Sequence, residues 1–145
     1  MDKLDICVSQ SYKGGMTVAN ATFTVQGWDE QTFEERDPGK LTIASVQQAV
    51  TGDIEGSSDV RWIMAYTADD SAEFVGVQSV TGSLGGSTGS FVLRSVGTFD
   101  GKTAAGDVTV VTGSGTGDLA GISGTGSFTA PMGDEASITL DYQLG

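Results

Sequence analysis

From residue 17 onward the chain alternates apolar and polar residues with a period of two, and the 3.6-residue period of an amphipathic helix is nearly absent. The alternating runs are rich in Val, Thr, Phe and Ile and are bounded by Gly, Asp and Ser, as strands and their turns are. They predict eight strands, over residues 17–27, 41–51, 59–67, 72–81, 89–99, 104–112, 121–130 and 136–144. The connectors agree. In Phe99-Asp100-Gly101-Lys102 the Asp-Gly pair readily supplies the positive φ angles of a type I′ hairpin turn. Ala68-Asp69-Asp70-Ser71 and Pro131-Met132-Gly133-Asp134 also read as turns.

A weak internal repeat organises the rest. Thr51-Gly52-Asp53-Ile54-Glu55-Gly56, Thr81-Gly82-Ser83-Leu84-Gly85-Gly86 and Thr116-Gly117-Asp118-Leu119-Ala120-Gly121 share the pattern Thr-Gly-(Asp/Ser)-(Ile/Leu)-x-Gly. The physical reading is one glycine-dependent turn between strands, used three times, with the Ile or Leu tucked under the rim as a plug. Such hairpins predict an all-β fold, an eight-stranded antiparallel up-and-down barrel, because closing a meander of eight removes its exposed edges. An open two-sheet sandwich is the competing architecture.

Alternation also assigns faces. Phe74, Gly76, Gln78 and Val80 share one face, as do Phe91, Leu93, Ser95, Gly97 and Phe99; Val60, Trp62, Met64 and Tyr66; and Ile138, Leu140, Tyr142 and Leu144. These aromatic sets are expected inside, since burying each such side chain contributes about 1.5–3 kcal/mol. By the repeat, Gln48 shares its face with Gln78. Strand 104–112 is ambiguous. Val75, Val77, Val92, Val96 and Ile63 then point outward beside Arg61, Arg94 and Glu73, a face that suits a homodimer or higher homo-oligomer.

Composition narrows the chemistry. The 145 residues fit one domain, expected at 16–145 after an N-terminal extension at 1–15. Twenty-two glycines with only 2 prolines and 38% hydrophobic residues suit neither collagen nor a disordered linker. With no histidine there is no Ser-His-Asp triad, no His-ligated zinc and no imidazole base. The lone Cys7 forms no internal disulfide and has no histidine to activate it. Seven basic against 19 acidic side chains leave a net charge of −12, which works against nucleic acid. No apolar run approaches the roughly 18 residues of a spanning helix, and no signal h-region is evident. The expectation is therefore a cytoplasmic protein with neither a nucleic-acid nor a membrane partner.

Several motifs together resemble a known family. Phe23-Thr24-Val25-x-x-Trp28-Asp29-Glu30, Gly52-Asp53-Ile54-Glu55-Gly56, Phe74-Val75-Gly76, Gly89-Ser90-Phe91-Val92-Leu93, Gly97-Thr98-Phe99-Asp100 and Gly113-Ser114-Gly115-Thr116-Gly117-Asp118-Leu119-Ala120-Gly121 occur in this order. Across about residues 16–144 the chain is similar to a bacterial domain-of-unknown-function family built on the allene-oxide-cyclase-like, calycin-type barrel. The resemblance implies an eight-stranded antiparallel barrel, often oligomeric, related to allene oxide cyclases and dirigent proteins. It carries over no catalytic residue.

Candidate sites follow from the faces. Gly113–Gly117 mimics a phosphate loop but lacks the following helix and the Lys, and reads as a turn. Asp53, Glu55 and Asp59 lack the order of a calcium loop and read as solvated acids, so no metal and no cofactor are expected. Glu30, Glu34, Glu35 and Asp37 fall in a long connector, 28–40, that opens with Trp28 and holds Phe33; a lid over one barrel mouth is the reading. Inside, Gln48 and Gln78 are either a mutually bonded structural pair or hydrogen-bond anchors in an apolar pocket lined by Trp28, Trp62, Tyr66, Phe74, Phe91 and Tyr142. Three functions compete: a barrel binding a small apolar or aromatic molecule, a cofactor-free cyclase or isomerase of a natural-product or lipid-like substrate, and a structural or assembly barrel filled by its own side chains. In the enzyme reading Gln78, Tyr66 and Tyr142 are the catalytic candidates. A cavity of roughly 300 Å³ or more with both glutamines on its wall separates the first two from the third.

Overall fold

The computed structural model describes residues 16–67 and 69–145; the expected extension 1–15, with Cys7, lies outside them. The strands are β1 (Thr17–Glu35), β2 (Lys40–Gly52), β3 (Ile54–Tyr66), β4 (Ala72–Leu84), β5 (Ser87–Phe99), β6 (Thr103–Val110), β7 (Thr116–Gly117), β8 (Ser123–Pro131) and β9 (Ala136–Gln143). Hydrogen bonding runs β4-β3-β2-β1-β9-β8-β6-β5, and β5 returns to β4, so eight antiparallel strands close into a barrel. The two-residue β7 is an addition the sequence pattern misses; it pairs Gly89 with Gly117 on β5. The inward faces are those the alternation assigns, except that Leu144, just beyond β9, is exposed, and the ambiguous strand turns Val108 and Val110 inward. No helix among the described residues is long and apolar enough to cross a membrane.

One end of the barrel is plugged. Ile54, Leu84 and Leu119, the apolar residue of each repeat, are each 1% exposed and pack with Ile122, Phe91, Leu93 and Tyr142. The repeat is nevertheless not three equivalent turns. Its first copy reverses the chain at Asp53 between β2 and β3, whereas its second is strand as far as Leu84; Gly56 and Gly82 lie opposite one another in the row Gly56–Gly82–Gly89–Gly117. A Cβ on Gly82 would come within 1.9 Å of the Glu55 carbonyl, so this row brings main chains together more closely than side chains permit. The type I′ geometry belongs to Gly85-Gly86, whose φ angles are +57° and +90°. At Asp100-Gly101 only the glycine has positive φ, and the Asp100 carboxylate instead accepts from the amides of Lys102 (2.9 Å) and Thr103 (2.8 Å).

The opposite end is open and carries the largest departure from expectation. There is no loop over 28–40. β1 runs on to Glu35 and pairs with β2 through Glu35↔Lys40, so the connection is only the short turn Arg36–Gly39. The pairing of β1 with β9 stops at Phe23↔Ala136. Beyond it, β1 runs on as a free edge paired only with β2, whose other side stays paired with β3 as far as Lys40↔Tyr66. Both faces of this edge stretch are wet, so polar residues occupy most positions and the period-two signal is lost.

Candidate functional site

At the open end a cavity of about 440 Å³ lies between the free stretch of β1 and the β8–β9 turn. Thr24 Oγ1 donates to Glu135 Oε2 (3.0 Å) and ties β1 to that turn. Trp28, Glu30, Trp62, Tyr66, Gln48 and Gln78 line it together with Phe23, Phe99 and Phe128.

Register explains the arrangement. Glu30 pairs with Ala44, Ala44 with Trp62 and Trp62 with Gly76, which places two large side chains and two small ones along one inward row. The small members make room for the large. A Cβ on Gly76 would sit 2.2 Å from Trp62 Cε3, so the indole lies where that side chain would be. Phe74 backs the indole edge-on at 5.0 Å, and Phe128 stands 5.9 Å away. Such aromatic contacts add about 0.5–1.5 kcal/mol beyond area burial.

Deeper in the wall, Gln78 Nε2 donates to Gln48 Oε1 (2.9 Å) and to Ser58 Oγ (2.7 Å), and Ser58 Oγ donates to Gln48 Oε1 (3.0 Å). The two glutamines are thus a bonded pair, as the structural alternative has it. The bonding leaves the Gln48 amide nitrogen and the Gln78 amide oxygen without a protein partner among the described residues, on side chains that line the cavity. One donor and one acceptor are available to whatever lies there.

At the mouth, Glu30 collects three donors. Thr42 Oγ1 and the Tyr66 hydroxyl each donate to Oε2 at 2.7 Å, and Trp28 Nε1 donates to Oε1 at 3.1 Å. Burial pushes the Glu30 carboxyl up, but these donors and the Lys40 charge outweigh it and hold it below the usual carboxylate range. Burial, then the bond to Glu30 and its charge, push the Tyr66 phenol well above its ordinary value. Tyr66 is therefore a fixed neutral donor and Glu30 a fixed anion. Asp134 is a second carboxylate in the lining, which includes no Lys or Arg. Lys40 stands outside it, over the Tyr66 ring at 5.3 Å.

Of the expected pocket residues, Trp28, Gln48, Trp62, Tyr66 and Gln78 come together on the wall. Phe74, Phe91 and Tyr142 do not, and the expected lining is corrected there. Phe74 is buried behind Trp62, whereas Phe91 and Tyr142 belong to the plug. Burial and then the Asp53 carboxylate raise the Tyr142 phenol, which places that ring near the closed rim. Glu30 is the residue that sequence reasoning passes over. Its signal is its two-residue spacing from Trp28, which puts both on one strand face.

The remaining motifs are held by the fold. Ser114 Oγ accepts from the Val92 amide and Thr116 Oγ1 from that of Ser90, each at 3.0 Å, so the glycine-rich segment is fastened to β5. Asp53 accepts from the Asn20 amide, Glu55 from the Gly52 amide, and Asp59 pairs with Arg61. Among the described residues no group of three or more Cys, Asp or Glu side chains is placed to hold a metal ion.

Comparison with known proteins gives two matches. A family model described as "Protein of unknown function (DUF3224)" matches residues 19–142. A crystal structure of a protein with unknown function from the same family, from Shewanella oneidensis MR-1, superposes with a TM-score of 0.76 at 25% identity, covering 90% of this chain and 98% of that one. No curated protein matches the chain.

Proposed function

The chain belongs to the DUF3224 family of unknown function, and we propose, from its cavity, that it is a barrel that binds a small apolar or aromatic molecule. The observation that carries this reading is the 440 Å³ space with Gln48 and Gln78 on an otherwise mostly apolar wall, the usual form of a ligand site. A barrel serving only as a structural piece would fill that volume with its own side chains. Both tryptophans of the chain, Trp28 and Trp62, line the space, so intrinsic fluorescence reports on it directly. The test is titration with N-phenyl-1-naphthylamine, a neutral apolar probe. Saturable probe enhancement with quenching of tryptophan emission is expected, and both are to be lost in Ala136→Trp, which fills the cavity. Unsaturable binding, or binding unchanged by that substitution, overturns the reading.

A cofactor-free cyclase or isomerase draws on the same wall. Its specific support is the Tyr66–Glu30 hydrogen bond, which puts a neutral donor and an anion beside apolar space where charge could develop. The resemblance of the sequence motifs to a family with an allene-oxide-cyclase-like barrel is consistent with this second reading. Gln78→Leu would then abolish turnover of a polyene or epoxide substrate while the barrel stays folded; turnover that survives it removes Gln78 from the catalysis.

The outer face supports a homodimer. Ile43, Ile63, Val75 and Val96 lie in one cross-strand row over β2–β5, all exposed. The next row on one side carries Arg61 and Arg94, and the next on the other carries Glu73. A two-fold axis along the apolar row would set the arginines of one copy over the Glu73 of its partner. Sedimentation equilibrium should give twice the chain mass, reverting to the monomer in Val75→Asp; a monomeric native chain removes the dimer.

A further inference from the structure

We infer that the ligand of this cavity carries a positive charge, seated at the mouth beside the Glu30 carboxylate and the indoles of Trp28 and Trp62. The inference deepens the binding reading above and rests on it. Three observations carry it. The first is the charge of the wall: its ionisable carboxylates are Glu30 and Asp134, and the lining includes no Lys or Arg, Lys40 standing outside it over the Tyr66 ring. The second is the way Glu30 is held. Its three donors, Thr42, Tyr66 and Trp28, are all neutral, so they fix the carboxylate without cancelling its charge. Oε2 accepts two bonds but Oε1 only the long one from Trp28, which leaves one lone-pair direction for a ligand. The third is the aromatic surround. Trp28 and Trp62 offer the most electron-rich faces a protein has, and they line the cavity together with Tyr66. Aromatic faces around a carboxylate are the arrangement that recognises an organic ammonium, which hydrogen-bonding groups alone cannot hold once its nitrogen is alkylated.

The body of the ligand then extends inward along Phe23 and Phe128 toward the free donor and acceptor of Gln48 and Gln78. The chemical class is a substituted amine or quaternary ammonium with an apolar or aromatic body. Anionic ligands are disfavoured by the same two carboxylates and by the net charge of −12.

The test compares two probes of the same shape, phenyltrimethylammonium and tert-butylbenzene, which differ in charge alone. At low salt, tryptophan fluorescence titration should show the cation binding about tenfold more tightly. Glu30→Gln, which keeps one oxygen for Thr42 and Tyr66, should bring the two affinities to within about threefold while leaving that for tert-butylbenzene unchanged. Trp28→Leu, at a half-exposed position where folding is not at stake, should weaken the cation more than the neutral probe. Equal or tighter binding of tert-butylbenzene by the native protein overturns the charge assignment and leaves the cavity reading standing. So does a cation preference that Glu30→Gln does not reduce. If neither probe binds and N-phenyl-1-naphthylamine fails as well, the cavity reading falls with it.

Discussion

Replacing Gly76 by Ala tests whether the Trp62 indole is held where the cavity wall needs it. A Cβ at this position would meet Trp62 Cε3 at 2.2 Å, Trp62 Cζ3 at 2.6 Å and the Arg61 carbonyl oxygen at 2.7 Å. The first two contacts are with a side chain that can swing toward the cavity; the third is with main chain of the paired strand and cannot move far. Overpacking of this kind costs about 1–3 kcal/mol. Trp62→Leu alone, at a half-buried site, should cost about 1–2 kcal/mol in lost apolar burial. If the sites were independent the double variant would lose about 2–5 kcal/mol. The contact geometry predicts less, because the smaller leucine vacates the space that the new methyl needs. The coupling should then be about 1–2 kcal/mol in favour of the double variant. Equilibrium urea denaturation followed by circular dichroism gives all four stabilities, and an unchanged m-value confirms that the unfolded states match. Gly76→Ala should also shift tryptophan emission as the indole moves. Additive losses, or a Gly76→Ala cost below about 0.5 kcal/mol, would mean that the indole does not occupy the glycine's space.

Other consequences are as direct. Leu84→Ala removes a plug side chain that is 1% exposed and should cost about 3–5 kcal/mol by the same denaturation assay; a loss under about 1 kcal/mol would show a loose plug. Ser95 Oγ is buried without a hydrogen-bond partner among the described residues, so Ser95→Ala should be neutral or stabilising by up to about 1 kcal/mol, read as a raised Tm. A clear fall in Tm would mean that the hydroxyl is satisfied. The depressed Glu30 carboxyl contributes stability that is present above its unfolded pKa and lost as pH falls through its folded one. Thermal scans of the native chain and Glu30→Gln should therefore converge on acidification below the ordinary carboxylate range; parallel curves down to full protonation would deny Glu30 that role.

Much of this fold is legible because a strand buried on one face must alternate, and alternation survives even where glycine replaces the expected apolar residue, as at Gly76 and Gly97. What alternation cannot supply is level along the barrel axis. Phe91 and Tyr142 face inward as their spacing says, yet they lie at the plugged end, because their height depends on register, with β4 for Phe91 and with β1 and β8 for Tyr142, rather than on period. The far half of β1 is hidden for the opposite reason. Residues 28–35 have solvent on both sides, so a strand reads as a charge run, and Glu30 is lost among acids that do nothing comparable. The bonded Gln48–Gln78 pair is visible in outline, since a buried amide needs a partner; Ser58 is not, since a serine in a glycine-rich stretch carries no such demand.

The plug of Ile54, Leu84 and Leu119 also dictates traffic. A barrel sealed below has a single door, so whatever enters leaves by retracing its path, last part in and first part out. A rigid occupant longer than the chamber must leave its tail in solvent, where a second protein could grasp it. Exchange of a bound molecule would then be governed at the open end, where Trp28 and Glu30 stand, rather than by anything in the depths of the barrel.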